Sequence, residues 1–257
     1  MATAVTLFVV ALLASVFGSM VGLGGGFILV PVLRLFFGLA PAEASGTALV
    51  LVVANSASGA FTYLLQRRVH VRIGLLFAAG GWPGSIAGAL LVKHIAPALF
   101  DALLAALLVF VALDMLMRRR KHVAARDDPT ASIDSLRGMH TTGAVAVGFL
   151  VGLVSSMFGV GGGIVLVPTL LYFSDLPAHA ISATSHFGIF LTSPVGLAAH
   201  AWQHDIRVTE ILPLVLGGLC GGPIGARLSL RLKSPQLLVL VAIALVVGAV
   251  SLVLRHL

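Results

Sequence analysis

The ten residues GLGGGFILVP, at positions 22–31, are followed 137 positions later by GVGGGIVLVP, at positions 159–168. Both stretches place three consecutive glycines directly before a short apolar segment. A general apolar bias would match leucines and valines, but this gap-free offset also matches polar residues and glycines. The further matches are Ser45 with Ser182, Thr47 with Thr184, Ser56 with Ser193, Gly59 with Gly196, Gln66 with Gln203, Gly84 with Gly221 and Gly88 with Gly225. The sequence therefore predicts two copies of one unit.

The composition places most of this chain outside water. Hydrophobic residues make up 59% of the 257 residues and charged residues only 10%, and the mean hydropathy is +1.10. That leaves too little polar surface to solvate a globule of this size. The net charge of +7 does not indicate nucleic-acid binding, because the basic residues lie between apolar segments and not on one helical face. The composition predicts an all-α integral membrane protein in a lipid bilayer.

The lengths of the apolar segments predict about eight full transmembrane helices. A hydrocarbon core of roughly 30 Å requires about 20 apolar residues per helix. Residues 1–20 lack a basic leader region, so we expect them to be retained as the first helix. Two shorter apolar segments, 27–39 and 164–173, follow the glycine triplets and are expected to be half-helices or re-entrant segments. The full-length candidates are 3–21, 43–65, 73–92, 97–117, 142–159, 179–201, 208–230 and 235–254.

The predicted organisation is a first membrane repeat at 1–117, a linker at 118–141 and a second membrane repeat at 142–257. The linker begins with a basic run and shows little hydrophobic periodicity, and the positive-inside rule places it in the cytosol. If the short segments re-enter, the repeats are parallel. If they cross the membrane, the repeats are inverted and the C-terminus lies on the side opposite the linker. The shortness of 164–173 favours re-entry.

The glycine triplets are the first candidate binding element. Glycine inside a helix costs about 1 kcal/mol relative to alanine, so each triplet predicts a helix break. A helix that starts after such a break presents unpaired backbone N–H groups, which attract an anion. The alternative is a tight hairpin without a ligand, whereas nucleotide-binding loops are excluded because their strand context and Gly-Lys-Ser/Thr ending are missing. The candidate residues are Gly24, Gly25, Gly26, Gly161, Gly162 and Gly163.

Polar residues near the middle of two long segments are the second candidate binding element. The offset aligns Asn55 and Ser56 with Thr192 and Ser193. Neutral hydrogen-bonding groups at mid-membrane suit an oxyanion that is held and then released, although such residues also tie helices together. His186, which has no histidine at the equivalent position of the other repeat, is the candidate for proton coupling.

Other polar residues and glycines have structural interpretations. Asp101 and His200 fall near predicted segment ends, where we expect solvated interfacial groups. Arg227 lies inside a predicted span and is expected to extend to the interface. The Gly-xxx-Gly spacing at 84–88 and 221–225 predicts close packing between helices.

With the doubled GxGGGxxLVP motif and the polar segments that follow it, the chain resembles the sulfite exporter TauE/SafE family of membrane permeases. The resemblance covers about 8–117 and 142–254. It implies a multi-span transporter of the bacterial inner membrane for sulfite, sulfonates or related organic anions. The two copies differ where Asn55 aligns with Thr192 and Leu49 with His186, so a strictly symmetric binding site is not expected.

The function predicted from these features is secondary transport of a small anion, by alternating access between the two repeats and with a co-transported proton as a candidate partner. No ATP-binding motif is present, so an ion gradient, the membrane potential or the substrate gradient supplies the drive. Enzymatic activity is not expected, because zinc-helix and nucleophile-turn motifs are missing. No cofactor or metal is expected, and Cys220 is the only cysteine. The alternative is a non-transporting structural or assembly subunit of a membrane complex.

Overall fold

The computed structural model describes residues 2–122, 140–174, 176–230, 243 and 245–252, and the regular elements found among them are helices. The prediction of an all-α protein is confirmed. Two short 3₁₀ turns, Val92–His94 and Val208–Glu210, adjoin longer helices. The α-helices, numbered α1 to α9 in chain order, are Ala2–Val21, Gly26–Phe36, Pro41–Leu65, Val71–Leu91, Pro97–His122, Thr141–Phe158, Gly163–Phe173, Ala178–Trp202 and Ile211–Leu228.

Five spans in the described part of the chain are long and apolar enough to cross a membrane. Predicted segment 179–201 forms α8, whose serines, threonines and histidines make it less apolar than those five. Segment 97–117 lies in α5, which is apolar over Pro97–Leu113. Segment 235–254 falls mostly outside the described residues. The five spans are Thr3–Val21, Pro41–Leu65, Val71–His94, Thr141–Phe158 and Val208–Leu228.

The short segments after the glycine triplets form two helices of equal length. α2 and α7 each have 11 residues, and each begins at the third glycine of its triplet. Both contain a proline at the same place, Pro31 in α2 and Pro168 in α7. A helix of that length extends about 16 Å, which is roughly half of a hydrocarbon core. Neither helix is long enough to cross a membrane by itself.

α5 extends beyond the predicted membrane segment 97–117. It continues to His122, so the first residues of the predicted linker, 118–122, are helical. Lysine and arginine are good helix formers, so a basic run extends a helix as readily as it ends one. The remainder of the predicted linker, 123–139, lies outside the described residues.

Contacts at glycines show the direction in which the long helices run. α9 is parallel to α1 and α3, α4 is parallel to α6 and α8, and α3 is antiparallel to α8. Therefore α1, α3 and α9 run one way through the protein, and α4, α6 and α8 run the other way. The chain thus returns between α1 and α3 through the first break and α2, and between α6 and α8 through the second break and α7, so the expectation that the short segments re-enter is wrong. The contacts of α9 are Gly217 to Ala11 and Gly225 to Ser19 in α1, and Gly218 to Ala54 and Gly222 to Ser58 in α3. The contacts of α4 are Gly80 to Val145 and Gly88 to Leu153 in α6, and Gly74 to Phe187 and Gly81 to Thr192 in α8. The contacts between α3 and α8 are Gly59 to His186 and Gly196 to Leu49.

Glycines allow these helices to approach to backbone contact. A Cβ added at Gly84 would meet the carbonyl oxygen of Phe149, and a Cβ at Gly225 would meet that of Val16. Small residues at such positions are typical of membrane helices, which pack through van der Waals contact and not through exclusion of water. The predicted packing role of the two Gly-xxx-Gly pairs is confirmed.

A buried ion pair joins α2 to α5. Arg34 Nε donates to Asp101 Oδ1 at 2.8 Å, and Arg34 Nη1 donates to the carbonyl oxygen of Leu39 at 2.6 Å. The two charged side chains are 3% and 1% exposed. The expectation that Asp101 is solvated is therefore wrong, because an arginine distant in sequence supplies the opposite charge. His200 is also fully buried and not solvated, whereas Arg227 is exposed as expected.

Candidate substrate site at the glycine breaks

The two glycine breaks, residues 22–26 and 159–163, meet in the interior of the protein. All residues of both breaks are buried. A Cβ added at Gly26 would meet the carbonyl oxygen of Gly159, and a Cβ at Gly163 would meet that of Gly22. The two contacts are equivalent to each other under the offset of 137 residues, because that offset aligns Gly22 with Gly159 and Gly26 with Gly163. The structure therefore brings the two predicted triplets together, backbone against backbone.

The backbone of the breaks requires glycine for a conformational reason. Gly24 and Gly25 have φ angles of 88° and 84°, and Gly161 has a φ angle of 82°. Residues with a side chain rarely adopt this left-handed region, whereas glycine does so at little cost. The chain can therefore turn sharply at each break and start a new helix in the interior.

The helices that start at the breaks have unpaired donors. Within the described part of the chain, the N–H groups of Gly26 and Phe27 donate no hydrogen bond, and the same holds for Gly163 and Ile164. Free N–H groups at a helix start carry the positive end of the helix dipole. The two starts lie at opposite ends of the contact between the breaks, with Gly26 against Gly159 and Gly163 against Gly22, and each start by itself favours a negatively charged ligand.

A cluster of polar side chains lies beside the first break. We call Ser19, Asn55, Tyr63 and His186 the central cluster, and all four are fully buried. Ser19 Oγ donates to Asn55 Oδ1 at 2.7 Å, and Asn55 Nδ2 donates to the carbonyl oxygen of Gly24 at 3.0 Å. Tyr63 Oη donates to the carbonyl oxygen of Ser19 at 2.6 Å. The cluster thus connects α1, α3 and α8 to the glycine break.

His186 has one nitrogen inside this network and one without a partner. Its Nε2 lies 3.4 Å from Ser19 Oγ and 3.3 Å from the carbonyl oxygen of Asn55. Its Nδ1 has no hydrogen-bond partner among the described residues. The ring lies edge-on to Tyr63, with the centroids 5.8 Å apart, and Gly59 leaves the space that the imidazole occupies. A buried nitrogen without a partner is costly and indicates that this position can contact a polar ligand.

The hydroxyl groups of three predicted site residues donate hydrogen bonds to carbonyl oxygens of their own helices. Ser56 donates to the carbonyl oxygen of Val53, Thr192 donates to that of Gly188 at 3.0 Å, and Ser193 donates to that of Ile189 at 2.7 Å. All three hydroxyl-bearing residues are buried. The structure therefore joins Asn55 to the first glycine break directly and His186 to it through Asn55 and Ser19. The hydroxyl groups of Ser56, Thr192 and Ser193 bond within their own helices instead.

Ser19 and Tyr63 were not predicted from the sequence. Ser19 aligns with Ser156 through the same offset that revealed the repeats, so the offset carries a signal that could have found it. Tyr63 aligns with His200, and these two different side chains play equivalent roles, because Tyr63 contacts the carbonyl oxygen of Ser19 and His200 contacts that of Ser156. Because tyrosine and histidine are different residue types, a comparison of the two repeats for identical residues could not find this pair.

An open groove between α5 and α7 lacks the chemistry of an anion site. It has a volume of about 240 Å³ and is lined mainly by apolar side chains, among them Phe110, Pro168 and Tyr172. An anion placed there would lose hydration and find only hydroxyl groups, those of Thr169 and Tyr172, as side-chain donors in the lining.

The sequence profile described as "Sulfite exporter TauE/SafE" matches residues 7–252, which is nearly the whole chain. The chain belongs to the sulfite exporter TauE/SafE family. Because the family consists of membrane transporters, this member is a multi-pass membrane transporter and not an enzyme. Its apolar helices agree with that assignment.

Curated relatives of this TauE/SafE member are similar over most of its length. The probable membrane transporter protein YunE of Bacillus subtilis is 27% identical and covers 97% of both chains. A probable membrane transporter protein of Xylella fastidiosa is 28% identical and covers 91% of this chain and 88% of its own. Sulfite exporter TauE/SafE family protein 1 of Arabidopsis thaliana is 36% identical over 87 residues, 34% of this chain and 19% of its own. No solved structure matches the chain significantly.

Proposed function

We propose that this transporter moves a small anion, such as sulfite, a sulfonate or a related organic anion, across the inner membrane of a bacterium. The observation that carries the proposal is that the two glycine breaks meet in the protein interior and that each leads into a helix start with unpaired N–H groups. The family name supports sulfite and its relatives as the substrate class. An oxyanion has several acceptor oxygens, so it can accept hydrogen bonds from more than one N–H group of a break at once.

The proposed substrate site consists of Gly24, Gly25, Gly26, Gly161, Gly162 and Gly163, with Asn55, Ser56, Thr192 and Ser193 around them. The N–H group of Gly24 donates to the carbonyl oxygen of Gly18 at 3.4 Å and would have to leave that acceptor to contact the anion. Asn55 is the best supported of the side chains, because it is already bonded to Gly24. Ser56, Thr192 and Ser193 would have to rotate away from their present acceptors to contact the anion. We propose His186 for proton coupling, because its free Nδ1 is buried in the central cluster.

The two repeats, 1–117 and 142–257, are proposed to be inverted relative to each other. Three equivalent helix pairs support this, since α1 runs opposite to α6, α3 opposite to α8, and α4 opposite to α9. Reciprocal contacts at the glycine breaks also support a two-fold relation between the halves. The linker and the turn with Arg67, Arg68 and Arg72 then share one side, which the positive-inside rule places in the cytosol. The C-terminus then lies outside.

Alternating access gives the buried breaks a route to solvent. The contacts of Gly26 with Gly159 and of Gly163 with Gly22 close the interior in this structure. We propose that one repeat rocks against the other at these contacts, opening the anion site first to one side and then to the other. A membrane potential negative inside favours anion exit by about 2.3 kcal/mol per charge per 100 mV. Export needs no other drive, whereas uptake against the potential needs a co-transported proton or another co-ion that carries compensating positive charge.

Flux measurements in proteoliposomes test the proposal. Purified protein would be reconstituted, and uptake of labelled sulfite, a sulfonate and a carboxylate would be measured under imposed voltage. We expect flux of at least one of these anions, and a strong reduction in Gly25→Val and Gly162→Val, because the side chains would meet Ala14 and Val151 and displace the breaks.

A glycine outside the breaks provides the control. Gly188 lies in α8, and a Cβ added there would meet only the end of the Leu166 side chain, so Gly188→Ala should retain most of the flux. Unchanged flux in both Gly25→Val and Gly162→Val would refute the role of the breaks. A folded, reconstituted protein that carries none of the three anions would refute the proposed substrate class.

A further inference from the structure

A buried histidine and a buried aspartate form a second polar group with an exposed lysine at one end of α8. His200 is fully buried, and its Nε2 lies 3.0 Å from the carbonyl oxygen of Ser156 in α6. Its Nδ1 lies 3.4 Å from Oδ2 of Asp205, whose residue is 6% exposed. On its other side, Asp205 Oδ1 lies 3.1 Å from Lys93 Nζ. None of these residues belongs to the central cluster.

The geometry has a place for one additional proton. A carbonyl oxygen only accepts hydrogen bonds, so Nε2 of His200 must carry a hydrogen to bond with Ser156. In a neutral imidazole the other nitrogen, Nδ1, then presents a lone pair toward the Asp205 carboxylate. Both Nδ1 and Asp205 Oδ2 lack a hydrogen-bond partner among the described residues. One proton on Nδ1 would satisfy both atoms at once without moving either side chain.

We propose that His200 and Asp205 form a proton-binding site of this transporter, separate from the substrate site. The proton occupies His200 Nδ1 and is stabilised by the Asp205 carboxylate. This inference rests on the proposed function and adds a second titratable residue, besides His186, to the path of the co-transported proton. The carbonyl oxygen held by His200 belongs to Ser156, three residues before the second glycine break. Proton binding at His200 is therefore linked to that break through α6.

The charges around the site come from each element packed against it. Lys93, in the turn after α4, offsets the charge of Asp205 and also donates to the carbonyl oxygen of Gln203. From the start of α3, Glu43 lies 3.6 Å from Arg207, so these two charges offset each other. Gly46 of α3 closes the side next to Asp205, and α6 contributes only the polar groups of Ser156. The site is thus near neutral without the proton and carries one positive charge with it.

The other repeat lacks this proton site, and the residue found there in place of His200 suggests a variant that tests the proposal. Tyr63 stands at the position equivalent to His200 and donates to the carbonyl oxygen of Ser19. The residue equivalent to Asp205 is Arg68, whose guanidinium lies 5.1 Å from the centre of the Tyr63 ring. A tyrosine at 200 can therefore keep the bond to Ser156 but cannot carry the additional proton. His200→Tyr separates proton binding from the structural role, and Asp205→Asn is a second variant.

The first measurement detects the proton directly and does not depend on transport. Protein labelled with ¹⁵N at histidine would be reconstituted in nanodiscs, and the His200 ring signals would be assigned as those missing in His200→Tyr. From about pH 8 to about pH 4 we expect His200 to pass to the doubly protonated form. Asp205→Asn should move that titration to lower pH. A ring that stays neutral over the whole range, or an unchanged titration in Asp205→Asn, would overturn the site.

The second measurement tests coupling in proteoliposomes under an imposed pH gradient. If one proton accompanies each anion, the accumulation ratio of sulfite changes about tenfold per pH unit. His200→Tyr should reduce that dependence to less than about twofold while voltage-driven flux remains. Voltage-driven flux in the wild type without any pH dependence would overturn the coupling role. If no anion moves at all, the transport proposal fails, and the ring titration alone decides whether the proton site exists.

Discussion

Removing one partner of the Arg34–Asp101 pair should strongly destabilise the protein. Both side chains are almost completely buried, so Arg34→Leu leaves an uncompensated carboxylate inside and Asp101→Leu leaves an uncompensated guanidinium. Breaking a buried pair in this way costs about 3–5 kcal/mol. Arg34→Leu also removes the donor to the carbonyl oxygen of Leu39, so we expect its loss to be the larger of the two.

The double variant provides the decisive comparison. The 137-residue offset aligns Arg34 with Leu171 and Asp101 with Leu238, so the other repeat has two leucines where the first has two charges. Replacing a buried ion pair by apolar residues of similar volume is often neutral. Arg34→Leu combined with Asp101→Leu should therefore be more stable than either single variant, within about 2 kcal/mol of the wild type.

Equilibrium unfolding in mixed detergent micelles measures these free energies. All four proteins would be compared under one condition, and the coupling energy would be taken from the double-mutant cycle. The expected result is a large favourable coupling. If the losses of the two single variants add up in the double variant, the buried charges do not stabilise each other, and the reasoning from their geometry is refuted.

Two further predictions concern topology and packing. A reporter fused after residue 257 should be active outside the cytosol while one inserted in the linker is active inside; reporters active on the same side would refute inverted repeats. Gly26→Ala and Gly163→Ala should each cost about 1–3 kcal/mol of unfolding free energy, because each added Cβ meets a carbonyl oxygen of the opposite break. Gly38→Ala, at a position with no atom within 4 Å of the added Cβ, tests the effect of a positive φ alone and should cost less. Equal losses in all three variants would contradict the backbone contact.

The helical layout was predictable because each helix is marked by local features of the sequence. Glycine triplets ended α1 and α6 where expected, and apolar length located α3, α4, α6 and α9 within a few residues. α5 extends past residue 117, the end of the predicted span, because a basic run does not mark the end of a helix.

The candidate site was only partly predictable. The glycine triplets, Asn55 and His186 could be selected from repetition and from polarity within apolar segments. Ser19 was overlooked, and Tyr63 could not be selected because its equivalent, His200, is a different residue type with the same hydrogen-bonding role. Asp101 was misinterpreted because its counter-charge, Arg34, lies 67 residues away in the chain.

The amino-acid sequence by itself determined that this protein lies in a membrane, that a glycine motif recurs along its chain, and where its helices break. These properties follow from composition and from spacing along the chain, which need no knowledge of distant contacts. Only the tertiary structure decided that both breaks meet, that equivalent helices run in opposite directions, and that His200 faces Asp205. Those facts depend on which helices pack together. Helices far apart in the sequence pack where glycines allow their backbones to come into contact, and local sequence does not show which helices these are.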